Sequence, residues 1–205
     1  MTIGTGPWTR LVPSLPSLLD RYGSAAALRA ALTLAAAPVP RWLAPHASPA
    51  PAPLLDGVLG PFLRPTPSRW SDGTVGVWYG ADTLPTAQAE VAHHRTAFLR
   101  RTHATAATLP HRIVHATLAA GVRLDDLRAL SRTDPRLDPV DYAPSRTYGL
   151  AQARARSVGL CWPSVRLVRA AACCIGVFDP QAISDVAIDA GDVVLRWDGV
   201  RGDWG

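Results

Sequence analysis

Six prolines crowd into residues 37–55, APVPRWLAPHASPAPAPLL, and they bar a regular element from that stretch. The chain must cross it as a polyproline-like loop. The segment before it is too short to hold a core alone. The loop is therefore expected inside one domain covering residues 1–205, not between two.

Around that loop, strand-like and helix-like patterns mix without regular βαβ alternation. Residues 10–22 begin extended and turn helical near Ser17, and SAAALRAALTLAAA (24–37) predicts a helix capped by Ser24. TVGVWYG (74–80) is β-prone. LPTAQAEVAHHRTAFLRR (84–101) predicts a helix, with Thr86 as its N-cap and Ala89, Ala92 and Leu99 on one apolar stripe. Residues 111–119 alternate as a strand, 121–130 hold a short strand and a turn, and 138–159 form a loop feeding a helix that ends near Gly159. GLCWPSV (159–165) and ACCIGVFD (172–179) are apolar enough for interior strands, and DVVLRWDG (192–199) supplies one more. The expected class is α+β, a compact mixed β-sheet core with flanking helices.

With 48% hydrophobic and 18% charged residues, the composition excludes wholesale disorder. The net charge is +5, and every cationic side chain is arginine because the chain has no lysine. A compositional bias explains this without a ligand. An anionic partner is the functional alternative, since the planar guanidinium binds two phosphate oxygens at once. Cys161, Cys173 and Cys174 are odd in number and lie in hydrophobic segments, as buried thiols of a reducing compartment do. MTIGTGPWTRLVPS lacks the parts of a signal peptide, and no segment is long and apolar enough to span a bilayer. A cytoplasmic location follows, with no membrane partner.

Three segments carry candidate chemistry. Arg69 stands just before a polar glycine turn, in SRWSDGTVGVWYGA (68–81). Glu90 lies in TAQAEVAHHR (86–95), where alanine and valine give it a less polar helix face. Ser164 follows Trp162 and Pro163 at the end of an apolar strand. Taken singly, each passes for a solvated or turn residue. His93 and His94 are adjacent, so on a helix they diverge by about 100° and do not converge on a metal. No helix-turn-helix, zinc finger or RNA-binding aromatic motif points to direct nucleic-acid binding.

In this order and spacing the segments resemble the RES domain family, named for an arginine, a glutamate and a serine. TRLVPS (9–14) is similar to its opening arginine segment, and residues 68–100 are similar to its central block. DYAPSRTYGLAQARARSVGLCWPSVR (141–166) is similar to its third block, and ACCIGVFDP (172–180) to the strand that follows. Where relatives often have a glycine-rich turn and an acidic residue, this chain has RAAACC (169–174).

The resemblance implies a fold like that of ADP-ribosyltransferases. It implies toxins that destroy NAD by hydrolysis or phosphorolysis, alongside an Xre-like DNA-binding antitoxin. NAD would be substrate, not cofactor, and inorganic phosphate a co-substrate in the phosphorolytic case. Arg69, Glu90 and Ser164 take the catalytic naming positions, with Arg10 and Tyr79 as substrate-binding residues. Glu90 would stabilise the positive charge that builds on the ribose. Arg10 and Arg69 would hold phosphates, Tyr79 would pack against nicotinamide, and Ser164 would bond a ribose or the carboxamide. ADP-ribosyl transfer to a macromolecule and a non-catalytic basic binding domain are the alternatives, and homo-oligomer formation stays open.

Overall fold

The computed structural model describes residues 3–14, 52–169 and 171–205. The helices expected near Ser17 and over 24–37, and the proline-rich stretch up to Pro51, lie outside the described residues. The described part is α+β: eight strands in one sheet and three α-helices.

The strands are β1 (Trp8–Pro13), β2 (Trp78–Ala81), β3 (Ala107–Leu118), β4 (Asp125–Asp126), β5 (Gly159–Pro163), β6 (Cys173–Val177), β7 (Ile183–Trp197) and β8 (Gly202–Trp204). The helices are α1 (Ala52–Leu63), α2 (Leu84–Arg101) and α3 (Ala143–Arg154). The sheet order is β4-β5-β6-β2-β1-β3-β7-β8. Only the β4-β5 pair is parallel.

Successive side chains of a strand point to opposite faces, and two cores use this. Cys173, Ile175 and Val177 of β6 join Trp78 and α1's Val58 and Leu59. Cys174 joins Leu160, Trp162 and Trp70 with α2's Ala87. The buried Trp78 indole donates to Gly57 O of α1 at 2.8 Å and ties that helix to the sheet.

The sheet is weakest at its middle. β1 and β3 share six register pairs, and β2 and β6 share four, but β1 and β2 meet at one pair only, Thr9↔Ala81. The two halves part at this seam, beneath α2.

Several expectations need correction. Helix α1 begins at Ala52, inside the stretch expected to be irregular. Pro53 sits in its first turn, where the missing N–H would have no intrahelical partner anyway. Helix α2 has its expected span, but Thr83 is the N-cap and accepts from Thr86 N. Its buried face is Thr86, Ala87 and Leu99, while Ala89 and Ala92 are half-buried. Helix α3 ends at Arg154, well before Gly159. The strand expected over 192–199 is the second half of the 15-residue β7, whose mostly exposed first half alternates only briefly, at Val186 and Ile188. Strand β8 was too short to register as a pattern.

Candidate functional site

A cleft of about 1010 Å³ opens at the seam, lined by β1, β2, α1, α2, the segment after α1 and the start of α3. Six arginines line it, Arg10, Arg64, Arg69, Arg95, Arg101 and Arg146, and Glu90 is the only carboxylate among the described lining residues.

Arg69 is placed by a tight turn. Ser68 N donates to Ser71 O at 2.8 Å, Ser71 Oγ donates to Val75 O at 2.6 Å, and Gly73 takes φ +104°. Trp70, fully buried, anchors the turn between Trp162 and Tyr148, at ring-centroid distances of 5.1 and 6.2 Å. Helix α3 can approach because residue 149 is glycine: a Cβ there would lie 2.2 Å from Trp70 O.

Arg69 itself is 7% exposed. Its Nη1 donates to Asp138 O at 2.9 Å and Arg136 O at 3.3 Å, and its guanidinium lies 4.4 Å from the Tyr142 ring centroid. Its Nη2 is buried without a partner.

Tyr79 holds the same turn from below. Its hydroxyl donates to Ser68 Oγ at 2.7 Å and accepts from Trp70 N at 3.2 Å. Burial pushes the phenol up to about 12, against the hydrogen bonds and the nearby arginines, so it stays protonated. Arg10 donates from Nη1 to Tyr79 O at 3.1 Å, across the seam where the β1-β2 ladder gives out. Burial lowers this guanidinium to about 10, which leaves it charged at neutral pH. Arg10, Tyr79 and Arg69 are thus linked through the backbone and the 68–70 turn.

Glu90 comes from α2, one turn after the buried Ala87. Ser164 Oγ donates to Glu90 Oε1 at 2.8 Å. Ser164 also accepts from Leu167 N at 3.1 Å and Arg166 N at 3.3 Å, so its hydroxyl is fully committed. It is fully buried and does not line the cleft. Cys174 Sγ lies 3.7 Å from the same Glu90 oxygen, and its thiol is pushed up by burial first and then by Glu90. His94 is on the cleft wall but makes no ion pair with Glu90.

The structure brings four of the five sequence-derived candidates, Arg10, Arg69, Tyr79 and Glu90, onto one cleft, with Ser164 directly behind Glu90. Tyr142 and Arg146 also line it and were not singled out in the sequence, and Cys174, expected only as a buried thiol, lines it as well. One signal was available for Glu90: it is the sole glutamate in a chain whose other acidic residues are all aspartate. Nothing in the sequence marks Tyr142 or Arg146, which meet Arg69 only through the fold. Among the described residues, no group of three or more His, Cys, Asp or Glu could hold a metal.

The model of the RES domain family matches residues 38–198, most of the chain. No curated protein matches the sequence. Among solved structures the chain is similar to a chain of the M. tuberculosis MbcT-MbcA toxin-antitoxin complex, with 14% identity and a TM-score of 0.45. That likeness covers 63% of this chain and 75% of the other.

Proposed function

The chain belongs to the RES domain family, and on that premise we propose that its cleft binds NAD and breaks the bond between nicotinamide and ribose. The acceptor is water or inorganic phosphate, and the protein is the toxin of a toxin-antitoxin pair. On this reading the fold is of the ADP-ribosyltransferase kind.

One observation carries the proposal: among the described residues a single carboxylate, Glu90, stands in a cleft otherwise rich in arginine, with one of its oxygens fixed from behind by Ser164. The substrate asks for both features. Its pyrophosphate is anionic, and charge-assisted bonds from guanidinium groups suit it. Its ribose becomes cationic as the glycosidic bond lengthens, and a pre-positioned carboxylate lowers that barrier.

The electron pair of the C–N bond leaves with nicotinamide, which departs as a neutral molecule and needs no strong acid. Glu90 stabilises the oxocarbenium-like sugar or holds a ribose hydroxyl. Water then forms a C–O bond at the same carbon and releases a proton, giving ADP-ribose. Phosphate attacking in its place gives a phosphorylated ADP-ribose. Ser164 acts through Glu90, since its hydroxyl is already bonded. Tyr79, with its hydroxyl also engaged, offers its ring to the cleft.

A basic cleft mouth favours an antitoxin that presents acidic groups and covers the region around Arg69. Mass spectrometry of NAD incubated with purified protein, with and without inorganic phosphate, tests the enzymatic proposal. Wild type should consume NAD, and Glu90→Gln should abolish consumption while keeping the fold. Intact NAD under both conditions, or a Glu90→Gln protein as fast as wild type, would overturn it.

A further inference from the structure

Tyr142 stands just before α3 and gathers cationic side chains around it. The Arg69 guanidinium carbon lies 4.4 Å from its ring centroid and that of Arg146 lies 5.8 Å away. Arg166 Nη2 donates to its hydroxyl at 3.0 Å. Among the described residues, no carboxylate lies within 4.0 Å of any of the three guanidinium groups.

Like charges held on one ring repel, and burying a guanidinium without a counter-ion is costly. The ring face offsets part of this, and the carbonyl partners of Arg69 offset more. Asp138, whose carbonyl Arg69 uses, turns its carboxylate to its own loop, where Oδ1 accepts from Val140 N and Asp141 N at 2.7 Å each. What is left over is specific: Arg69 Nη2 is buried with no partner. Arg146 commits only Nε, to Ser68 O at 2.9 Å, so its two terminal nitrogens are open to the cleft it lines. The N-terminus of helix α3 adds little, because Asp141 Oδ1 already accepts from Ala143 N at 2.9 Å.

We propose that Arg69 and Arg146, set against the face of Tyr142, form a seat for a phosphoryl group. Arg146 is the second guanidinium of the pair and Tyr142 fixes the spacing of the two. An anion between them accepts from both forks and neutralises the charge that the protein leaves unpaired. The seat deepens the NAD proposal, on which its biological ligand rests: the phosphoryl group belongs either to the substrate's pyrophosphate or to free inorganic phosphate.

Calorimetric titrations separate the two sources. Inorganic phosphate and ADP-ribose are each titrated into wild type, Arg146→Ala, Arg146→Lys and the control Arg100→Ala, whose arginine reaches Val200 O outside the cleft. Arg146→Ala should weaken one or both probes at least tenfold. Arg146→Lys should fall between, because it keeps the charge and loses the fork. Arg100→Ala should match wild type. Weakening confined to phosphate assigns the seat to the co-substrate, and weakening confined to ADP-ribose assigns it to the pyrophosphate. Affinities within twofold of wild type for both probes in a folded Arg146→Ala or Arg146→Lys protein would overturn the seat, as would wild type binding neither. Arg146-dependent phosphate binding in a protein that leaves NAD intact would uphold the seat and sink the NAD proposal.

Discussion

Ser164 donates its hydroxyl proton to Glu90 Oε1 over 2.8 Å, although 74 residues separate the two. The bond joins the residue after β5 to helix α2, behind the wall of the cleft. With no solvent exposure and three hydrogen bonds, Ser164 is a support for the carboxylate. Removing it leaves one Glu90 oxygen and two backbone N–H groups without their partner, a loss of about 1–3 kcal/mol for a buried group. Ser164→Ala should therefore lower kcat for NAD cleavage roughly 10- to 100-fold with KM changed only a few-fold. If KM rises and kcat holds, Ser164 contacts substrate and the support role is wrong.

Cys174 approaches the same oxygen at 3.7 Å. A thiol is a weak donor, so the expected effect is small. Cys174→Ala should slow NAD cleavage no more than about threefold, roughly half a kcal/mol or slightly more. Burial raises its thiol well above the ordinary value, so the native protein should resist alkylation at Cys174 until it is unfolded. Peptide mass spectrometry after timed iodoacetamide treatment measures this. A Cys174→Ala effect as large as that of Ser164→Ala would place the thiol in a stronger role than its geometry allows.

Gly149 sets how closely α3 packs on the turn that carries Arg69. A Cβ would lie 2.2 Å from Trp70 O and 2.8 Å from Trp70 C, and backbone cannot step aside as a flexible side chain can. Overpacking of this kind costs about 1–3 kcal/mol. Gly149→Ala should lower Tm by about 2–4 °C for each kcal/mol lost. It should also weaken NAD turnover, because Arg69 moves with its turn. A variant with unchanged Tm and activity would show that α3 shifts freely.

Elements with a strong local signal were legible in the sequence. Helix α2 is found over its whole expected span, since alanine, leucine and arginine favour helix at every turn. Strands β5 and β6 are found where apolar runs placed them, being buried on both faces. The first half of β7 was not legible. Its residues are mostly exposed, with Ser184, Asp185 and Asp189 breaking up the apolar ones, and it is a strand because β3 offers a long ladder to pair with. The N-cap was misplaced because Thr83 and Thr86 are both competent caps, and only Thr83 takes extended backbone. At the site, family order pointed to Arg69, Glu90 and Ser164, but not to the bond between the last two or to the arginines around Tyr142. Those depend on strand order, which no local pattern encodes.

His111 makes stability depend on pH. It is 1% exposed on β3, its Nδ1 donates to Leu109 O at 2.9 Å, and Nε2 has no partner. Its pKa falls below the ordinary 6.5, first through burial; Leu109 O opposes this, Arg95 adds to it and Asp192 opposes it. The unfolded chain therefore binds a proton more readily than the folded one as pH drops below about 6.5. Stability is fully present above that value and is lost as pH falls from it toward the lower folded pKa. His93, half-buried, is lowered too, first by burial and then by the arginines near it, and acts in the same direction. Urea midpoints measured between pH 7.5 and 5.5 should fall with pH in wild type. The slope should be shallower, though not flat, in His111→Gln. Equal slopes in the two proteins would show that His111 does not titrate differently on folding.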